Sequence, residues 1–244
     1  MVHEMINGSF RQTNLKSESA EYLSKREELR LAEIELMKHG ERVAALRRQL
    51  PEGTVIEDYE FEEGPASLDA GDSPVQSVRL SDLFTAPARS LVVYHFMYGK
   101  KNTNPCPMCT MFIDSWNGVG HHLADNIDVV IVTASDLPTL RGHARNRGWD
   151  NIRLLSCGAN TFKYDLGSED REGNQDSTVS VFTRDSAGTL RHFYTAHPML
   201  AGDIKERGID LLCPVYNILD ITPQGRGSWY ASFDYPPKVN AARG

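Results

Sequence analysis

One stretch constrains the fold of this chain more than any other, because a pair of cysteines follows an apolar run there. Residues 91–96 read Leu-Val-Val-Tyr-His-Phe, which predicts a strand buried on both faces, and residues 99–104 break the run into a loop. A helical pattern then begins at Cys106 and Cys109. The sequence therefore places both thiols where a central strand gives way to a helix.

A thiol at the start of a helix is a candidate nucleophile. Unpaired backbone N–H groups and the positive end of the helix dipole stabilise a thiolate there, and the pKa of such a cysteine falls from ~8.5 to between ~3.5 and ~7.5. Pro107 suits the first helical position, where its missing N–H costs nothing. We predict that Cys106 attacks a disulfide or a peroxide as the thiolate, and that Cys109, one helical turn further, resolves the product.

Other side chains near this stretch are weaker candidates. Thr103 is predicted to hydrogen-bond the thiolate or a peroxide. His95 on the adjoining strand is a candidate for tuning the charge of the site, although a histidine in a strand is more often a core residue. Arg184 is a candidate cation, although an arginine at the end of a strand is usually solvated. Cys157 and Cys213 are interpreted as buried small residues.

Two alternatives to a redox dithiol stay open. Two cysteines three residues apart also form half of a zinc site, but zinc needs a second ligand pair. A metal or cofactor carrier would combine the two thiols with a histidine, namely His95, His121 or His122. The other alternative is a non-catalytic binding or dimerisation protein. The leading interpretation, a thiol-dependent oxidoreductase, requires neither a cofactor nor a metal.

The composition is that of an ordinary globular protein and limits its partners. Of the 244 residues, 40% are hydrophobic and 24% are charged, and the formal net charge of −7 argues against nucleic acid as a partner. No apolar run approaches the ~20 residues that cross a bilayer, and the chain does not start with a secretion signal. We therefore expect the cytoplasm, where a close cysteine pair is more often catalytic or metal-binding than structural.

The chain is predicted to consist of three parts. Residues 1–50 comprise a polar arm and an amphipathic helix that starts near residue 17. Gly40 could divide this helix in two, and a homodimer could form through it. Residues 51–222 form the main domain. Residues 223–244 form an irregular tail, whose aromatic side chains suit a lid or a dimer contact.

The main domain is predicted to be an α/β fold with a mixed sheet flanked by helices. A strand at 54–61 and a short strand near 78–80 come first. The remaining elements are a strand at 91–96, a helix at 107–124, a strand at 129–132, a helix at 137–147, a strand at 152–155, a hairpin of strands 178–185 and 190–195, and a helix at 204–219. Right-handed crossovers make the strands on either side of the cysteine helix parallel neighbours, and the hairpin completes the sheet. With C-x-x-C after the first parallel strand, this is the thioredoxin arrangement.

Five short segments carry a resemblance to a known family. They are residues 94–99, Cys106-Pro-Met-Cys109, residues 158–167 with Phe-Lys-Tyr-Asp, residues 179–182 and residues 220–226. In these segments the chain resembles the thioredoxin-like proteins grouped as domain of unknown function 899, which are related to thioredoxins and peroxiredoxins. The resemblance covers nearly the whole chain and implies a thioredoxin-like fold with a dithiol at Cys106 and Cys109. It implies no particular substrate.

The sequence departs from thioredoxins and peroxiredoxins at two positions. Thioredoxins carry a cis-proline just before the strand that faces the dithiol, whereas the corresponding position here is about Ser177 or Thr178, which puts exchange with protein disulfides in doubt. Peroxiredoxins carry P-x-x-x-T-x-x-C, of which this chain keeps the Thr103 to Cys106 part and has Gly99 in place of the proline. The expected partners are therefore a disulfide or peroxide substrate and a thiol reductant.

Overall fold

The computed structural model of the protein describes residue 13, residues 15–86, 88–158, 160–202 and 208–235, and the backbone of residues 5–6 and 9–10. The chain divides into two compact units, residues 1–51 and residues 52–244. Most of the predicted polar arm lies outside the described residues. Two antiparallel two-residue strands, β1 (Met5–Ile6) and β2 (Ser9–Phe10), fall within it.

The first unit is dominated by helix α1 (Ala20–Arg48), which has no buried residue. Ser19 caps its start by accepting the N–H of Tyr22 at 3.1 Å. The helix continues through Gly40, so the glycine does not divide it. Ion pairs one turn apart, such as Lys25 with Glu28, lie along its surface.

The second unit contains a seven-stranded sheet. Its strands are β3 (Glu60–Glu63), β4 (Gln76–Arg79), β5 (Leu91–Phe96), β6 (Asp128–Thr133), β7 (Arg153–Ser156), β8 (Thr178–Arg184) and β9 (Leu190–Ala196), in the spatial order β4-β3-β7-β6-β5-β8-β9. Strands β5, β6 and β7 are parallel, whereas β8 pairs antiparallel with β5 and with β9. Strand β3 pairs antiparallel with β7 and β4.

Five α-helices accompany this sheet in the described residues. They are α2 (Pro107–Gly118), α3 (Gly120–Ala124), α4 (Leu137–Arg147), α5 (Phe162–Asp165) and α6 (Pro214–Asp220). The described tail, residues 223–235, contains no helix or strand. No helix of the described chain is long and apolar enough to span a membrane.

Three predicted elements of the second unit differ from the structure by more than two residues at one end or the other. The helix predicted at 107–124 is interrupted at Val119, which separates α2 from α3. The helix predicted at 204–219 begins at Pro214 in the described residues, because a proline inside a helix removes a hydrogen bond and clashes with the preceding turn, whereas at the first position it is accommodated. Residues 203–207 lie outside the described residues. In the strand predicted at 54–61, residues Thr54 and Ile56 instead bond to β9.

The core lies on both faces of the sheet, because alternate residues of its strands point to opposite sides. Tyr94 and Phe96 of β5 pack in the same cluster as the buried side chains of α2 and α4. Leu91 and Val93 of the same strand belong to a second cluster with Phe162. The mixed sheet with an apolar cluster on each face confirms the predicted thioredoxin-like α/β fold.

Candidate functional site

The first thiol sits at the junction of β5 and α2. Cys106 is the N-cap of α2, and Pro107 occupies the first helical position. The backbone N–H of Cys106 donates to the carbonyl oxygen of Met97 at 3.2 Å, which ties the helix start to the end of β5. The sulfur of Cys106 accepts the N–H of Cys109 at 3.4 Å and is partly exposed. Cys106 is therefore the sulfur that a substrate can reach.

The second thiol is buried and surrounded by hydrogen-bond donors. Cys109 is 1% exposed. The Cys106 thiol, the Met97 backbone N–H and the hydroxyls of Tyr94 and Ser177 contact its sulfur. These two hydroxyls also share a hydrogen bond of 2.7 Å. Ser177 directly precedes β8, at the place where the sequence predicted the counterpart of the thioredoxin proline.

These contacts make the two thiols share one proton. Burial raises the pKa of Cys109, but the hydrogen bonds from Cys106, Met97, Tyr94 and Ser177 outweigh burial and lower it to about 6. The hydrogen bond to Cys109, followed by burial, raises the pKa of Cys106. Burial also raises the pKa of Tyr94 well above its usual value, which keeps its hydroxyl protonated as a donor. The favoured charge state is a Cys109 thiolate beside a Cys106 thiol, which differs from the thiolate at Cys106 that the sequence predicted.

Thr103 is not brought to the sulfurs. It lies exposed in the loop before α2, and within the described residues no hydrogen bond joins it to Cys106 or Cys109. A different threonine, Thr110, is buried in the first turn of α2, where its hydroxyl donates to the Cys106 carbonyl at 3.0 Å and contacts Nε2 of His143 at 3.2 Å. Thr110 and His143 therefore hold the cap that carries the reactive sulfur.

The two ionisable side chains that the sequence suggested, His95 and Arg184, bond to groups other than the two sulfurs. His95 is fully buried among hydroxyls, with Nε2 2.9 Å from Ser180 Oγ and Nδ1 2.9 Å from Ser168 Oγ. Burial lowers the pKa of His95 well below its usual value, so its ring is neutral. Arg184 donates to the carbonyl of Ser81 and lies over the Phe84 ring.

The remaining cysteines are separate from the pair. Cys157 is buried, and burial raises its pKa to about 11. Cys213 is buried as well, and burial raises its pKa. In the part of the chain that the structure describes, no group of three His, Cys, Asp or Glu residues is arranged to hold a metal ion.

Sequence reasoning missed three side chains of the site. The alternation of β5 could have pointed to Tyr94, because it lies two residues before Phe96 on one face of a buried strand. Thr110 and His143 had no such signal, since they meet only when α2 and α4 pack together.

Fold and dithiol together define the class. The sheet is mixed, with three parallel strands and an antiparallel hairpin, and a C-x-x-C pair begins the helix after β5. This arrangement is that of a thioredoxin-like protein. The sequence matches, over residues 12–238, the family described as bacterial protein of unknown function, DUF899. The chain belongs to that family, which confirms the resemblance seen in its motifs.

The solved structures that resemble this chain share little of its sequence. PrxQ of Xylella fastidiosa, in a cysteine-mutant form, is 13% identical with a TM-score of 0.46, covering 67% of this chain and 94% of PrxQ. A mitochondrial 2-Cys peroxiredoxin of Plasmodium falciparum is 11% identical with a TM-score of 0.45, covering 70% and 95%. A putative thioredoxin reductase of Burkholderia cenocepacia is 15% identical with a TM-score of 0.43, covering 59% of this chain and 87% of that protein. No curated protein matches the sequence.

Proposed function

We propose that the protein is a thiol oxidoreductase in which Cys106 and Cys109 transfer two electrons to a disulfide or a peroxide. One observation carries the proposal: a reachable sulfur at a helix cap adjoins a buried sulfur that has four hydrogen-bonding groups around it. A structural thiol in an apolar site has a raised pKa, as Cys157 does. The hydrogen bonds around Cys109 instead lower its pKa.

Reduction of a disulfide would proceed in two exchanges. The Cys109 thiolate takes the proton of Cys106 while the Cys106 sulfur attacks one sulfur of the substrate, so the substrate S–S bond breaks and one thiolate leaves. The leaving thiolate accepts the proton from Cys109 through solvent. The Cys109 thiolate then attacks Cys106, which forms the internal disulfide and releases the second thiolate. The dithiol loses two electrons and the substrate gains them.

Reduction of a peroxide would use the same two sulfurs. Cys106 attacks one peroxide oxygen, the O–O bond breaks, and the departing oxygen takes a proton to leave as an alcohol or water. The resulting sulfenic acid condenses with Cys109 to a disulfide and releases water. In both cycles a thiol reductant restores the dithiol. The geometry favours a disulfide as substrate, because Thr103, the residue of the partial peroxiredoxin motif, forms no hydrogen bond with either sulfur in the part of the chain that the structure describes.

The organisation of the chain is part of the proposal. We place the chemistry in residues 51–222, with residues 1–50 as an appended helical segment and residues 223–244 as a tail. Since α1 has apolar side chains but no buried residue, we assign it to homodimer formation. We propose that the protein acts in the cytoplasm.

Two assays separate the substrates. The reduced protein is mixed with glutathione disulfide or with hydrogen peroxide, and the oxidation state of each cysteine is followed by mass spectrometry. The expected product is a Cys106–Cys109 disulfide, formed faster by glutathione disulfide. Cys213→Ala serves as the matched control because it removes a buried cysteine outside the pair. If oxidation fell on Cys157 or Cys213 and spared the pair, the proposal would be wrong.

A further inference from the structure

Lys163 is a buried amine that the mechanism above leaves without a role. Its side chain is 1% exposed, and its Nζ donates to the carbonyl oxygen of Phe96 at 2.9 Å. Among the described residues it forms no ion pair, and the carboxylate of Glu169 contacts Lys100 at 2.5 Å. Burying an ammonium with only a neutral partner is costly, so we expect a further interaction that offsets the cost of desolvating Lys163.

The carbonyl that Lys163 holds belongs to the segment that touches both cysteines. Phe96 is the last residue of β5, and Met97 follows it. The oxygen of Met97 accepts the N–H of Cys106 at 3.2 Å, and the N–H of Met97 contacts the sulfur of Cys109. The peptide unit between Phe96 and Met97 therefore has Lys163 at its oxygen and Cys109 at its hydrogen.

A cation at the oxygen of a peptide strengthens the N–H of that peptide as a donor, because hydrogen bonds in a chain polarise one another. The ammonium also attracts a nearby thiolate directly, and both effects are large where water is excluded. We propose that Lys163 is a positioning residue of the dithiol, which fixes the Phe96–Met97 peptide and stabilises the Cys109 thiolate through it. This inference rests on the proposed function of the dithiol.

Other titratable groups share the surroundings of Lys163. They are Cys157 after β7, Cys109 in α2, Lys100 after β5, Glu169 after α5, and His95 in β5. Burial lowers the pKa of Lys163 to about 8, while the thiols of Cys157 and Cys109 act to raise it. His95 is neutral, and Cys157 keeps its proton because burial raises its pKa to about 11. Of the two thiols and the imidazole that face Lys163, Cys109 is therefore the group with a pKa near neutral pH.

The test measures thiolate formation in the full-length reduced protein. The ultraviolet thiolate absorbance is titrated against pH, with the Cys106→Ser, Cys109→Ser double variant as baseline. Lys163→Met removes both the charge and the donor, Lys163→Gln keeps a neutral donor, and Lys101→Met removes an exposed cation from the neighbouring loop as a matched control. We expect the apparent pKa of the dithiol to rise by about one unit or more in Lys163→Met, less in Lys163→Gln, and not in Lys101→Met.

An unchanged thiolate pKa in a folded Lys163→Met protein would overturn the inference while leaving the dithiol function intact. If the wild-type protein formed no thiolate below the ordinary range of cysteine, the proposed function and this inference would both fail. If the Lys163 variants do not fold, a second measurement on the wild-type protein tests the inference without them. Coupling between protons is reciprocal, so oxidising the dithiol must lower the pKa of Lys163, as read from the NMR shift of its side-chain carbon. No change on oxidation would overturn the inference.

Discussion

The hydroxyls of Tyr94 and Ser177 lie 2.7 Å apart, and both contact the sulfur of Cys109. Tyr94 comes from the central strand β5 and Ser177 from the residue before β8, so the pairing of these two strands brings them together. Because Tyr94 is fully buried and stays protonated, its hydroxyl can accept from Ser177 and donate to the thiolate without competition from solvent. The charge of the dithiol therefore depends on the sheet as well as on the helix cap.

Removing one of these donors should weaken the thiolate. In Tyr94→Phe the ring keeps its packing against Phe112 and Trp116 but loses its hydroxyl. Since a hydrogen bond to a charged group contributes ~1.5–3 kcal/mol, the apparent pKa of the dithiol should rise by about one to two units. Thiolate absorbance as a function of pH measures it, with Tyr164→Phe, an exposed tyrosine, as control. Equal titration curves would show that the Tyr94 hydroxyl does not stabilise the thiolate.

The order of events predicts which cysteine is trapped when its partner is removed. In Cys109→Ser, Cys106 can still attack glutathione disulfide but nothing resolves the adduct, so a mixed disulfide at Cys106 should accumulate. It should form more slowly than the wild-type reaction, because the base that takes the Cys106 proton is gone. Peptide mass spectrometry locates the adduct.

The control for that experiment is Cys106→Ser, which should form no adduct at Cys109 because Cys109 is 1% exposed. An adduct at Cys109 in this variant would reverse the assignment of nucleophile and resolving cysteine.

The lowered pKa of Cys109 makes stability depend on pH. Its folded pKa of about 6 lies below the ~8.5 of an ordinary cysteine, so between these values the folded protein binds fewer protons than the unfolded chain. The free energy of unfolding of the reduced protein should therefore rise from pH 6 towards pH 8 relative to Cys109→Ser, and this gain should be lost as the pH falls through 6. Urea unfolding at a series of pH values measures the difference. A difference independent of pH would mean that the pair carries no thiolate.

Helix α1 should be separable from the redox chemistry. Since none of its residues is buried, a protein lacking residues 1–51 should fold with an unchanged redox couple. If α1 joins two copies, the full chain should scatter light as a dimer and the shortened chain as a monomer. A shortened chain that remains dimeric would place the interface elsewhere, and one that does not fold would contradict the division of the chain.

The parts of the fold that depend on local pattern were predictable. The cysteine pair after the β5 run, the strand Asp128–Thr133 and the helix Leu137–Arg147 follow from apolar runs, turn residues and capping, which act over a few neighbours. Element ends were less accurate where a single residue decides them, as Pro214 does for the last helix.

The surroundings of the dithiol were not predictable from local pattern. Ser177 and Lys163 lie far from the cysteines in the chain and reach them through strand pairing and through the contact of α5 with the end of β5. A lysine beside Phe162 looks like a solvated residue in sequence, yet it is 1% exposed in the fold. Burial of this kind depends on tertiary packing and leaves no periodic signal.

The redox couple of Cys106 and Cys109 tests the central claim most directly. The protein is equilibrated in glutathione buffers of graded potential, free thiols are trapped with acid and an alkylating agent, and the pair is quantified by mass spectrometry, with Cys106→Ser as control. The proposed function predicts a reversible two-electron couple between roughly −270 and −120 mV. If no disulfide joins the two cysteines at any potential, the dithiol mechanism is wrong.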